Sequence, residues 1–186
     1  MGTDRSVGLG DLAQTEVLTG AGEFVPPSPT FPNGCHICEV EIDGETGKTR
    51  IVNYVCVEDV GRVIHPVLVE GQIHGGVAQG AGQSLMEEIR YDAGGQLLTG
   101  SFLDYTMPRA EDMPTITSVN REVPTALNPM GVKGVGEAGT VGAMAATTNA
   151  ICHALAPAGV RHLDMPATPL RVWKALRDAG YQPAAR

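Results

Sequence analysis

One carboxylate, Glu137, stands in the run NPMGVKGVGEAGTVGA (residues 128–143) among five glycines, Gly131, Gly134, Gly136, Gly139 and Gly142. A turn needs one or two glycines. Five of them let a backbone take unusual angles and let a ligand or a second backbone come close. A helix-like pattern follows at once, so Glu137 lies near free helical amides, which attract anions. The run is nevertheless no nucleotide loop. It lacks the Gly-Lys-Ser/Thr ending of a Walker A motif, and its GxGxxG spacing (Gly134, Gly136, Gly139) puts an acid where it would repel a pyrophosphate. A carboxylate on a close-approach loop suits general-base work, taking a proton from water or hydroxide held by another group. A glutamate that caps the next helix fits the same residues, and at this point both readings stand.

A second candidate lies in HPVLVEGQIHGGVAQGAGQSLMEEIRY. Its spacing predicts a helix over 67–89 that keeps glycines in its interior, Gly75, Gly76, Gly80 and Gly82 among them. Each costs about 0.5–1 kcal/mol relative to alanine, so close approach must compensate. At 100° per residue Gln72, Gly76, Gln79 and Gln83 share a narrow sector, with Gly80 beside it, while Ile73, Val77 and Ala81 turn toward a core. That sector offers amides and bare backbone to a ligand, or it belongs to a tight helix pair with solvated glutamines. A third candidate, the CxxC of Cys35 and Cys38, is read as structural. CHICEVEID has strand character, which puts residues three apart on opposite faces, and no second CxxC or paired-histidine motif accompanies it.

The elements that must position these groups follow from local pattern. Residues 9–18 are predicted as a short helix. FVPPSPTFPNG has four prolines in eleven residues and is an extended arm. CHICEVEI and TRIVNYVCVEDV form a hairpin around DGETGK, with Cys38, Val40 and Ile42 on one face and the second strand covered on both. GQLLTGSFLDYTM and TITSVNREV are predicted strands. The helix after the glycine loop starts at an N-cap Thr140 and packs a stripe of Val141, Ala145, Thr148, Cys152 and Leu155. The last helix is capped by Thr168, starts at Pro169 and ends at Gly180. Local strand pairing with helices between gives an α+β class, helices packed on an antiparallel sheet in two layers.

Length and composition bound the rest. With 186 residues, 42% hydrophobic and 18% charged, the chain has enough apolar material for one core, and its net charge of −8 argues against a nucleic-acid surface. The four cysteines form no disulfide framework, no apolar run reaches membrane-spanning length, and the start shows no signal-peptide pattern, so a cytoplasmic location is expected.

Four stretches together resemble one family. FPNGCHICEVEID, EGQIHGGVAQGAGQSLMEE, NPMGVKGVGEAGTVGA and GVRHLDMPATPLRVWKAL occur in the order found in the C-terminal part of the molybdenum-binding large subunit of the xanthine dehydrogenase/aldehyde oxidase family. The nearest likeness is to bacterial members of the carbon-monoxide-dehydrogenase type. The resemblance covers nearly the whole chain and is weakest over the first 30 or so residues. It implies an N-terminal segment over 1–34 and a molybdopterin-binding domain over 35–186. It also implies that Glu137 is the catalytic base, acting on a metal-bound hydroxyl, and that Gln79 binds the pterin, with Gly76, Gly80 and Gly136 at the cofactor. No residue of this chain is implied as a metal ligand. The cofactor would be molybdopterin with molybdenum, in the cytosine dinucleotide form, and FAD and iron–sulfur clusters would sit on partner chains. Partners would be the N-terminal half of the large subunit, the FAD subunit and the iron–sulfur subunit, with self-association as a further expectation. The family's large subunit is several times longer, so the chain holds half a site. Two functions stay open: a catalytic component completed by a partner, or a non-catalytic fragment or assembly protein using the same surface.

Overall fold

The computed structural model describes residues 6–15, 17 and 19–183. A single helical turn, α1 (Leu9–Leu12), opens the chain; Glu16 and Leu18 of the predicted helix lie outside the described residues. The proline arm has no regular structure. The hairpin forms as β1 (Asn33–Ile42) and β2 (Thr49–Asp59), antiparallel, with one register shift between Glu39 and Val40. Its turn closes on Asp43, whose carbonyl accepts the Gly47 amide, and Gly47 takes φ +74°. The third strand, β3 (Ile116–Asn120), lies on the other side of β2 and runs parallel to it. The α+β class with two layers holds, and the sheet is mixed rather than purely antiparallel. The chain reaches β3 by way of a whole helix, α2 (Pro66–Leu85), a connection long enough to permit parallel pairing.

Helices α2 and α3 (Ala138–Leu155) cover one face of the sheet, and α4 (Pro169–Asp178) completes the core. That core joins Ile51, Tyr54 and Cys56 of β2 to Ile73, Val77 and Ala81 of α2, Ala143, Ile151 and Leu155 of α3, and Val172 and Leu176 of α4. Full burial of Ile73 and Val77 stabilises by roughly 1.5–3 kcal/mol each. Each such burial exceeds the propensity loss of about 1 kcal/mol from one helical glycine. The opposite face of the sheet is open, with Ile37, Val57 and Val119 exposed, so β2 is covered on one face and not two.

Other expectations need correction. The helix α2 ends at Leu85, not 89, because the Gly82 carbonyl accepts both the Met86 and Glu87 amides and turns the chain away. Residues 96–107 form turns with one bridge, Tyr91 to Leu97, and leave Phe102 and Leu103 exposed where a strand was expected. In α3 the N-cap is Glu137, three residues before Thr140. The buried stripe is Ala143, Thr147, Ile151 and Leu155, while Val141 is exposed. The cause is α2, which takes the small-residue face of α3 and rotates the expected stripe outward. The ends of α4 are as expected: Thr168 Oγ1 accepts the Arg171 amide at 3.4 Å, and Gly180 takes φ +77° just past the helix.

Candidate cofactor-facing site around Glu137

Two helices made of small residues bring the candidate groups together. A Cβ on Gly76 would stand 2.9 Å from the Thr140 nitrogen, and one on Gly80 would stand 2.7 Å from the Thr140 oxygen and 2.8 Å from the Ala143 Cβ. Gly139 answers from α3, where a Cβ would meet the Val77 nitrogen at 2.8 Å. Gly76 and Gly80 are therefore buried in a backbone-to-backbone contact and do not present bare backbone on the glutamine face. Their sector splits. The glycines close the seam, and Gln72, Gln79 and Gln83 stay exposed along it. The Thr140 hydroxyl fastens the seam, 3.1 Å from the Gly76 carbonyl oxygen and 3.0 Å from Gln79 Oε1. Gly75 has nothing within 4 Å of a would-be Cβ, so α2 does expose open backbone one residue earlier.

Glu137 is exposed at the N-cap of α3, and its side chain makes no capping bond. Its backbone is well held. The Glu137 carbonyl accepts the Val141 amide at 3.1 Å, and the loop before it is pinned to the end of β2. Asp59 is the pin. It accepts from the Gly61 amide at 2.9 Å, the Val123 amide at 3.0 Å and Lys133 Nζ at 2.5 Å. Burial opposes the Asp59 charge, yet Lys133 and the two amides outweigh it and hold the carboxyl below the usual carboxylate range. Asn128 adds a reciprocal clamp on Val132, donating to its carbonyl at 2.9 Å and accepting its amide at 3.1 Å. Next along the chain, Gly136 would place a Cβ no nearer than 3.9 Å to any atom, and that atom is Gln72 Oε1, so the residue before Glu137 is open and beside the glutamine row.

On the sheet side, Glu137 borders a cleft of about 310 Å³ whose walls include Phe31, Pro32, Val141, His36 and Glu58. His36 and Glu58 form a buried pair, with Nε2 on Oε1 and side chains 4% and 2% exposed. The Tyr54 hydroxyl lies 2.7 Å from His36 Nδ1. Burial, with Cys38, Cys56 and Glu58 adding to it, raises the Tyr54 pKa, and both ring nitrogens of His36 are engaged, Nδ1 with Tyr54 and Nε2 with Glu58. Cys56 Sγ is close enough to form a three-residue group with His36 and Glu58, all within 4.8 Å. Burial and then Glu58 push its thiol up to about 11. With Nε2 already occupied by Glu58, His36 and Glu58 are a hydrogen-bonded core pair with Cys56 beside it. Sequence reasoning passed over this pair. The available signal was an acid, Glu58, at an inward strand position between Cys56 and Val60, which requires a buried partner. The cysteines of the CxxC are both free, Cys35 exposed and Cys38 half-buried.

Amide groups on one helix, open backbone at Gly75 and Gly136, and an unengaged carboxylate at a second helix start suit a polar ligand rich in hydrogen-bonding groups. The molybdopterin cofactor-binding domain family matches residues 4–114, more than half of the chain. The chain belongs to this family. It is 39% identical to the carbon monoxide dehydrogenase large chain of Hydrogenophaga pseudoflava, over 83% of this chain and 19% of that protein. It is 44% identical to the nicotine 6-hydroxylase large subunit of Paenarthrobacter nicotinovorans, over 80% of this chain and 18% of that one. Among solved structures, a Cu,Mo-CO dehydrogenase in its carbon-monoxide-reduced state superposes with a TM-score of 0.81 at 34% identity, covering 84% of this chain and 20% of that one. The chain thus spans about a fifth of the length of the curated relatives it matches, and it is homologous to a part of molybdenum hydroxylase large subunits.

Proposed function

We propose that the chain is the cofactor-facing portion of a molybdenum hydroxylase large subunit and that Glu137 is its general base. The observation that carries the reading is the seam between α2 and α3. There an exposed carboxylate without a capping bond follows Gly136, which itself lies beside Gln72, and three residues further on Thr140 ties Gln79 to the same helix. The residues fit a pterin. The glutamine amides donate and accept, Gly75 and Gly136 leave room for close approach, and the buried Gly76 and Gly80 act indirectly by setting the seam. When bound, the molybdenum cofactor supplies an oxidising Lewis-acid centre. Glu137 would serve there as proton acceptor, and its fixed backbone would keep the carboxylate in reach without a side-chain bond that has to break first. Gln79, its amide oxygen tied to Thr140, offers its NH₂ group to the pterin.

On this reading the cofactor is the cytosine dinucleotide form, and FAD and iron–sulfur clusters are carried by partner subunits in the cytoplasm. The remainder of the large subunit docks on the surfaces this chain leaves apolar: the open sheet face (Ile37, Val57, Val119), the arm (Phe24, Phe31) and the loop at Phe102 and Leu103. Such surface also leads the isolated chain to self-associate, which sedimentation at rising concentration checks. No helix among the described residues is long and apolar enough to cross a membrane.

Metal analysis tests the proposal. The chain purified alone is expected to carry no stoichiometric molybdenum, since one wall leaves most of the ligand in water. Co-expressed with the rest of a large subunit it is expected to carry about one per complex, and Gln79→Ala is expected to lower that occupancy. Full occupancy in the chain alone contradicts the half-site. A complete, assembled complex without molybdenum contradicts the cofactor assignment.

A further inference from the structure

The cleft beside Glu137 has a floor that the proposed chemistry does not use. His36 and Glu58 are both almost fully buried there, although an acid and an imidazole inside a core cost solvation energy unless they are paired. The pair is fully partnered, with Tyr54 at Nδ1 and Glu58 at Nε2, and the Tyr54 ring meets His36 edge-on at 88° with centroids 5.7 Å apart. The path leads inward, because Tyr54 is 0% exposed. A chain of hydrogen bonds that ends in the core conducts no proton to solvent. What it does is fix the orientation of one ring.

That ring touches α3. A Cβ on Gly142 would stand 2.6 Å from three atoms of the imidazole, so Gly142 is bare because His36 occupies the space. On the other side a Cβ on Gly34 would stand 2.8 Å from the Glu58 carboxyl carbon. Gly142 lies in the second turn of the helix whose N-cap is Glu137. Glu137 itself has no side-chain capping bond to hold it, so its place depends on where α3 begins. We propose that His36, oriented by Tyr54 and Glu58, is a positioning residue for Glu137. It seats the first two turns of α3 against the sheet, as Asp59 and Lys133 seat the loop on the other side. The functional half of this inference rests on the catalytic reading of Glu137; the structural half does not.

Amide hydrogen exchange on the full chain tests the structural half. His36→Ala is expected to speed exchange of the Val141, Gly142 and Ala143 amides by about tenfold or more, with Ile151 and Leu155 at the far end of α3 within about twofold of wild type. Gly142→Ala, which pushes on the same contact with His36 in place, is expected to give the same local pattern. Tyr54→Phe, which removes only the orienting hydroxyl, is expected to give a weaker one, and these two variants decide the matter if His36→Ala does not fold. Equal acceleration at both ends of α3, or none at either, overturns the inference. In the assembled complex with full molybdenum, His36→Ala is expected to lower kcat about 10- to 100-fold with KM nearly unchanged, as for a reacting group displaced by up to ~1 Å. Normal turnover in His36→Ala with lost turnover in Glu137→Gln removes the positioning role alone. Normal turnover in Glu137→Gln removes the catalytic reading and leaves the exchange result to judge the contact.

Discussion

The α2–α3 seam and the segment from residue 90 to 107 are both rich in glycine and apolar residues, yet they end in opposite environments. In the seam Gly76, Gly80 and Gly139 are buried, and their missing side chains let two backbones touch. In the segment Gly95 and Gly100 meet almost nothing, and Phe102 and Leu103 stand 86% and 92% exposed. The difference lies in whether this chain supplies a covering surface. The seam finds its complement 60-odd residues along the same polypeptide, and the segment does not. So the seam is a finished structural unit, and the segment leaves its largest apolar side chains uncovered.

Substitutions that add volume should break this contrast most sharply. Gly80→Val drives side-chain atoms into the Thr140 carbonyl and Ala143, and is expected to cost about 3 kcal/mol by urea unfolding. A loss below about 0.5 kcal/mol would mean the helices can part without penalty. Next is the pin below the seam. Asp59→Asn removes a charge that accepts three hydrogen bonds, and is expected to cost about 1.5–3 kcal/mol at neutral pH. The sign with pH is set by its depressed pKa. The Asp59 contribution is fully present above the ordinary carboxylate range and is lost as pH falls through the lowered folded-state value. Wild type should therefore lose its advantage over Asp59→Asn on acidification, and a difference independent of pH down to about 2 would contradict the ion pair. The smallest effect on the fold belongs to the segment. Phe102→Ser with Leu103→Ser is expected to change the unfolding free energy of the chain by no more than about 0.5 kcal/mol. The same change should weaken capture by the rest of the large subunit. A large stability loss would place these residues in a core of this chain.

What could be read from the sequence divides along the same line. Elements set by nearby residues were legible. These include the hairpin with its turn at Gly47, and α4 with Thr168, Pro169 and Gly180 at its ends. The start of α3 and its buried stripe were not, because they answer to α2, which lies far away in sequence. The parallel direction of β3 depends on the long connection through α2, and the chain beyond the early end of α2 is held by distant residues, Tyr105 on Glu87 and Arg171 on Glu88. At the site, Glu137 and the glutamine row stood out by residue type and spacing, and the family likeness gave them roles. The glycines of that row were legible only as close-approach positions; whether a ligand or a helix approaches Gly76 and Gly80 is a fact of packing. His36, Tyr54 and Glu58 sit on alternating strand positions that resemble any half-buried strand, so their network appeared only once β1 and β2 were in register.

If Glu137 accepts a proton during turnover, Glu137→Gln in the assembled, molybdenum-replete complex loses its base and little else. Glutamine keeps the volume and can still hydrogen-bond, so assembly, metal content and thermal unfolding are expected to stay close to wild type. The expected result is a fall in kcat on the order of 10²–10⁴-fold, the usual consequence of removing a positioned general base. Near-normal kcat at full molybdenum occupancy would contradict it and leave Glu137 as the residue that begins a helix.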